Sequence, residues 1–215
     1  MAVRPITDYW ILARCKHGYF GGYPAGFLER ARYLLGCTNN DVVAHIPGGM
    51  AHNYNGAGGM PLSGYGENDY RIDINPDCEP EVLMDVRKLK DCFFNGYTID
   101  FTRATKSGNG RYQDQPKGIL IDRPYTQEYA NRYNKDGDII FPNLNELVRE
   151  SLRLVAPGGR VGVLDYQTPI SRHVGGKCLA RIAVDCGDGL NIRIFSVWIK
   201  LEEANNLTLN KEVAI

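Results

Sequence analysis

The 215-residue sequence has no surplus of charge, because 25 Lys and Arg are matched by 25 Asp and Glu. A chain so balanced has no general attraction for nucleic acid or for an anionic membrane, and any such contact must be local. No apolar run approaches the ~20 residues of a membrane helix. The opening MAVRPITDYW lacks the continuous apolar stretch of an export signal. CxxC pairs are missing too. The six cysteines, Cys15, Cys37, Cys78, Cys92, Cys178 and Cys186, stand apart, which with the missing signal implies reduced thiols and a cytoplasmic location. Cys15 and His17 form the one tight Cys/His grouping. It is two ligands short of a zinc site, so no metal is expected. The glycines from Gly48 to Gly66 are not followed by Lys-Ser or Lys-Thr, which removes a phosphate loop from consideration.

What is present is ordinary globular material, 43% hydrophobic and 23% charged, long enough to bury one sizeable α/β core. GFLERARYLLG, Gly26 to Gly36, places Phe27, Ala31, Leu34 and Leu35 on one helical face with a glycine stop. DVVAHI is a short buried strand opening into a glycine-rich loop over residues 47–68. YRIDINP is a second strand, and EVLMDVRKL carries another apolar run that ends near Asp85. YTIDFTRA reads as a further strand or an approach to one. GILID is a strand, FPNLNELVRESLRLV a helix, and GRVGVLDY a strand after the Pro157-Gly158-Gly159 turn. CLARIAVDC and LNIRIFSVWIKLEE form a closing antiparallel pair around Gly187-Asp188-Gly189.

This alternation predicts a Rossmann-like, mostly parallel sheet with helices on both faces and a C-terminal antiparallel hairpin. One domain is expected over residues 1–203, with a helical segment over 1–40 and a polar tail over 204–215. In such sheets ligands lie beyond the carboxyl ends of the strands. Pro47-Gly48-Gly49, Asp73, Asp85 and Asp122 with Tyr125 each follow an apolar run, so all should share one rim.

Over roughly residues 41–200 the chain resembles the class I S-adenosylmethionine-dependent methyltransferases. DVVAHIPGG stands where that family has its first strand and glycine-bearing loop. RIDINP looks like the second strand, VLMDVRKL like the third, and LRLVAPGGRVGVLD like the helix, turn and fifth strand. The resemblance implies S-adenosyl-L-methionine as cofactor. Pro47, Gly48 and Gly49 would pass under its methionine part. Asp73 would accept from the ribose hydroxyls, Asp85 would contact the adenine amine, and Val86 would pack nearby. IDRPY occupies the place of the catalytic motif that reads Asp or Asn, Pro, Pro, Tyr or Phe in the amino-methylating members. Asp122, Pro124 and Tyr125 match it, and Arg123 stands where the first proline would be.

The chemistry of DRPY can also be argued from the residues. An exocyclic amine is a poor nucleophile because its lone pair is delocalised into the ring. A carboxylate such as Asp122 and a backbone carbonyl can accept its N–H bonds, orient the lone pair and stabilise the charge that develops on nitrogen. Pro124 fixes φ and adds no donor, and Tyr125 offers a ring for stacking, worth ~1–3 kcal/mol per base. Alternatively, Asp122 is a helix N-cap and Pro124 belongs to the first turn. Asp73 and Asp85 can each be turn formers, and Gly48 and Gly49 can simply supply φ > 0.

The loop over 47–68 reads as a lid, a substrate loop or a solvated insertion. Tyr23, Pro24 and Phe27 read as pocket lining or as a helix start with a core Phe. Arg103, Lys106, Arg111 and Lys117 with Tyr112 suit a flipped base or a solvated loop. Arg123 and Tyr112 are the candidate substrate contacts. A DNA or RNA base is the expected acceptor. The alternatives are a small molecule, transfer of another group such as aminocarboxypropyl, and a non-catalytic binding module. The sequence sets no oligomeric state.

Overall fold

The computed structural model describes residues 4–13, 23–51, 63–103, 110–132, 141–186 and 192–201. In chain order the elements are β1 (Ile6–Ile11), α1 (Phe27–Leu35), β2 (Val43–Ile46), β3 (Tyr70–Asp73), β4 (Val82–Leu83), β5 (Phe93–Asn95), β6 (Thr98–Asp100), β7 (Arg111–Tyr112), β8 (Gly118–Ile121), α2 (Gln127–Arg132), α3 (Leu144–Leu154), β9 (Arg160–Asp165), α4 (Ser171–Val174), β10 (Gly176–Asp185) and β11 (Arg193–Lys200). Short 3-10 turns at Pro76–Cys78 and Val86–Asp91 follow β3 and β4.

The apolar period of two decides which side chain goes to which face of the sheet. In β8, Ile119 and Ile121 enter one core with Val148 and Leu152 of α3, while Leu120 enters the other with Phe27, Ala31 and Leu35 of α1. Both helices therefore cover the sheet, one on each side. α1 ends where its sequence says it should, at Gly36 with φ 69°. α3 starts at Asn143, whose side chain accepts from the Glu146 amide at 3.1 Å.

The main sheet has eight strands in the order β1-β10-β11-β9-β8-β2-β3-β4. Every neighbouring pair is parallel except the two that involve β11. The expected mostly parallel α/β sheet with its closing antiparallel hairpin is thus observed. From β2 the chain winds outward through β3 and β4, then returns to build β8 and β9 on the other side. The switch lies between β2 and β8, the position where open α/β sheets bind ligands.

One expectation changes and one open reading is decided. Residues 1–40 are not only a helical segment, because Ile6–Ile11 pairs in parallel with β10 at the sheet edge. That strand alternates weakly, with only Trp10 buried, and its partner lies far along the chain. YTIDFTRA does contribute β6, but in a separate antiparallel sheet of β5, β6 and β7 rather than in the main one. The Cys15 and His17 grouping, Gly56, Gly58 and Gly59, Lys106, the Gly187 to Gly189 turn and the tail lie outside the described residues. No helix among the described residues is long and apolar enough to cross a membrane.

Candidate functional site

At the carboxyl end of β2 the chain turns through Pro47, Gly48 and Gly49, following a cis Ile46–Pro47 bond. The Gly48 amide donates to the Ile72 carbonyl at 3.0 Å, pressing the turn against β3. A Cβ on Gly48 would lie 2.3 Å from the Cβ of Arg71, so no other residue fits. Arg71 is 0% exposed yet fully satisfied. Its guanidinium donates to the carbonyls of Gly49, Cys78 and Glu79 and to both carboxylate oxygens of Glu81. One buried side chain thereby ties the turn after β2 to the segment after β3. Because a buried charge is tolerated only when its donors are met, Arg71 fixes both segments together.

Asp73 closes β3 and is buried. Its Oδ2 accepts from the Gly49 amide at 2.8 Å and its Oδ1 from the Asn75 amide at 2.9 Å. Burial pushes this carboxyl up, and the backbone donors only partly oppose the shift. Asp85, just past β4, caps the 3-10 turn by accepting from the Arg87 amide at 2.9 Å, and it pairs with the Arg87 guanidinium at 2.5 Å. Val86 is buried in the core that α3 covers. Since β2, β3 and β4 are neighbours in the sheet, with ~4.8 Å between adjacent strands, the glycine turn, Asp73 and Asp85 line one short arc of the rim.

Across the switch, Asp122 directly follows β8. Its Oδ1 accepts from the Tyr125 hydroxyl at 2.6 Å and lies 3.7 Å from Nη1 of Arg193. Arg193 also donates to the Tyr125 oxygen, and its guanidinium sits 5.7 Å from the centre of that ring. Oδ2 of Asp122 takes no hydrogen bond among the described residues, and the side chain keeps 6% of its surface exposed. Burial raises the Asp122 carboxyl. Arg193 and the Tyr125 hydroxyl pull it back, and Asp165 adds to the rise. Pro124 is half-buried in the turn, and the Tyr125 ring meets Tyr166 edge-on at 4.8 Å.

Arg123 does not face this space. It is 2% exposed, donates to Asp165 at 2.7 Å and to the Pro142 carbonyl at 2.9 Å, and lies 4.1 Å over the Phe141 ring. The arginine in the proline position staples the turn after β8 to the end of β9, which corrects the expectation of a substrate contact. Tyr112 is also displaced from that role. It stacks on Tyr70 at 4.2 Å, and Tyr70 begins β3, so Tyr112 packs at the end of the strand opposite the rim. Burial there raises its hydroxyl to about 12.

Pattern reading missed Arg193. It opens β11, and because that strand runs against the others its first residue reaches the rim that the parallel strands reach with their last. The pairing of Ile194 with Asp165 shows this directly. Asp69 was missed as well. Its carboxylate accepts from both Arg32 and the amides of Val43 and Gly66, with His45 Nε2 at 3.4 Å. His45 in turn meets the Tyr23 hydroxyl at 3.2 Å. This buried cluster ties α1 to β2 and to the end of the glycine-rich loop, whose Gly64 packs against the α1 backbone. Tyr23 and Phe27 stack at 5.3 Å inside the core of that face.

The five described cysteines are free thiols, and burial raises Cys37 and Cys78 to about 11 and Cys92 to about 12. Among the described residues no group of three or more His, Cys, Asp or Glu could hold a metal ion. The rim can therefore offer a glycine turn, two carboxylates on adjacent strand ends, and a third carboxylate with an open oxygen beside an aromatic ring and a cation.

No family model matches the chain, and no curated protein matches it. Among solved structures, the crystal structure of TrmN from Thermus thermophilus is similar with a TM-score of 0.47 and 16% identity. The match covers 81% of this chain and 48% of that one, so the chain spans about half the length of the structure it resembles.

Proposed function

We propose that the protein is an S-adenosylmethionine-dependent methyltransferase that acts on an amino group, with a nucleic-acid base as acceptor. The observation that carries this reading is the placement of Asp122. A carboxylate with one oxygen open, beside the Tyr125 ring, follows the strand across the switch point from the Gly48–Asp73–Asp85 arc.

The donor chemistry of that arc suits the cofactor. A carboxylate has about four acceptor positions; the amides of Gly49 and Asn75 take one on each oxygen and the Ile74 amide also acts on the group, which leaves at least one for a ribose hydroxyl. Asp85 would trade part of its pairing with the half-exposed Arg87 for an adenine amine. When bound, the cofactor supplies a methyl on a sulfonium centre. The chain's own part is to orient the acceptor. Oδ2 of Asp122 accepts an N–H, the Tyr125 ring packs on the base, and the negative carboxylate favours the positive charge that grows on nitrogen.

The balanced net charge favours a local contact over an extended grip on a long polymer, and it makes a small-molecule amine the second reading. Transfer of labelled methyl from S-adenosylmethionine to DNA, to RNA and to free nucleosides separates the two. We expect label on a base amine, with Asp122→Ala slowing transfer by ~10²–10³-fold while cofactor affinity stays within a factor of a few. Label on free nucleosides alone would favour the small-molecule reading. Full turnover by Asp122→Ala, with only stability lost, would reduce Asp122 to a structural partner of Tyr125 and Arg193 and sink the catalytic role.

A further inference from the structure

We propose that Arg193 is the positioning residue of this site: it locks Tyr125 against Asp122 and keeps Asp122 a carboxylate with Oδ2 free for a donor. The inference rests on the methyltransferase reading for its purpose, but not for its physics. Arg193 Nη1 donates to the Tyr125 oxygen and lies 3.7 Å from Asp122 Oδ1, while the Tyr125 hydroxyl donates to that same oxygen at 2.6 Å. The three groups form a closed triangle in which only one carboxylate oxygen is used. The Tyr125 hydroxyl fixes Oδ1 by the one directional bond and Arg193 fixes Tyr125, so turning the carboxylate breaks that bond and draws its charge away from the guanidinium, and the other oxygen has a preferred direction.

The charges around Asp122 show why a cation is needed there. Asp165 approaches from the end of β9 and disfavours ionisation of Asp122, but its own charge is answered by Arg123. Tyr23, ahead of α1, lies within the electrostatic reach of both Asp122 and Arg193. Cys186, just after β10, accepts from Arg193 Nη2 at 3.7 Å. Arg193 is thus the cation facing Asp122 among these groups, and it opens the strand that, among the described strands of the main sheet, runs against its neighbours and so reaches the rim with its first residue. Burial works against its charge, yet Asp122 and Tyr125 more than offset this, so it stays protonated. A lysine would keep the charge but lose the fork that spans Tyr125 and Cys186.

The test is a carbon-detected NMR titration of the protein labelled at aspartate side chains, with Asp122 assigned by its loss in Asp122→Asn. In wild type the Asp122 carboxyl should titrate above the ordinary ~3.9, and the Arg193 guanidinium signals should move with the same midpoint. Arg193→Gln should raise the Asp122 midpoint by about 1–3 pH units, the usual effect of an opposite charge at this range. Arg193→Lys should restore most of that difference. An unchanged midpoint in a folded Arg193→Gln protein would overturn the proposal. If that variant does not fold, wild type decides alone, because Arg193 signals that ignore the Asp122 titration would also overturn it. Binding of S-adenosylhomocysteine is measured separately. Loss of binding with the titration intact sinks the methyltransferase reading only, and binding without the coupled titration sinks the role of Arg193 only.

Discussion

Arg123 shows how one side chain can reverse a functional reading. An arginine beside a candidate catalytic aspartate invites an anionic substrate, but here its guanidinium is spent on Asp165, the Pro142 carbonyl and the Phe141 ring. Removing one partner of a buried pair leaves the other as an uncompensated charge, which costs about 3–5 kcal/mol. Arg123→Ala should therefore lower the free energy of urea unfolding by that amount, and Arg123→Met with Asp165→Leu should recover much of it. A stable Arg123→Ala protein with a weakened acceptor KM would put the side chain back in the site. Asp122 was legible from sequence because a carboxylate directly after an apolar strand is conspicuous. The burial of Arg71, Arg123 and Asp69 was not. A charged residue reads as solvated until partners remote in sequence, such as Glu81, Asp165 and Arg32, are placed beside it.

At the scale of elements, the turn after β2 matters because three things converge on it. Gly48 touches Arg71, Arg71 donates to the Gly49 carbonyl, and the Gly49 amide donates to Asp73. Gly48→Ala forces the turn off β3, and overpacking of this kind costs typically 1–3 kcal/mol. We expect a lower urea midpoint together with weaker S-adenosylhomocysteine binding. Loss of stability with unchanged binding would separate the turn from the cofactor. Periodicity made β2, β3, β8, β9, α1 and α3 readable, each being a run with one or two apolar faces. It failed on β1, which exposes Ile6, Tyr9 and Ile11 and becomes a strand only through its pairing with β10. It also failed on Arg193, because a search for residues that follow apolar runs overlooks one that precedes a reversed strand.

For the whole molecule, the Asp69 cluster is where α1, β2 and the glycine-rich loop are joined. Burial alone would raise its carboxyl, but hydrogen bonding and charge from His45, with donors from Gly66 and Arg32, hold it below the usual value. With a folded pKa below the unfolded ~3.9, its contribution to stability is present above that pH and is lost as pH falls through the folded value. The slope of unfolding free energy against pH below about 4 should accordingly flatten in Asp69→Asn. An unchanged acid limb would remove Asp69 from the linkage. The sheet order and its switch point place the glycine turn and the three carboxylates on one rim, and the use of that rim is the central claim. It is tested most directly by calorimetric titration with S-adenosylhomocysteine, in wild type and in Asp85→Ala, whose carboxylate is the more accessible of the two on the cofactor side. We expect micromolar binding to wild type, about 8 kcal/mol, and a clear loss of affinity in an Asp85→Ala protein that stays folded, its stability lowered only by the ~1 kcal/mol of the lost cap. No heat of binding to wild type at millimolar ligand would contradict the assignment of this rim to S-adenosylmethionine.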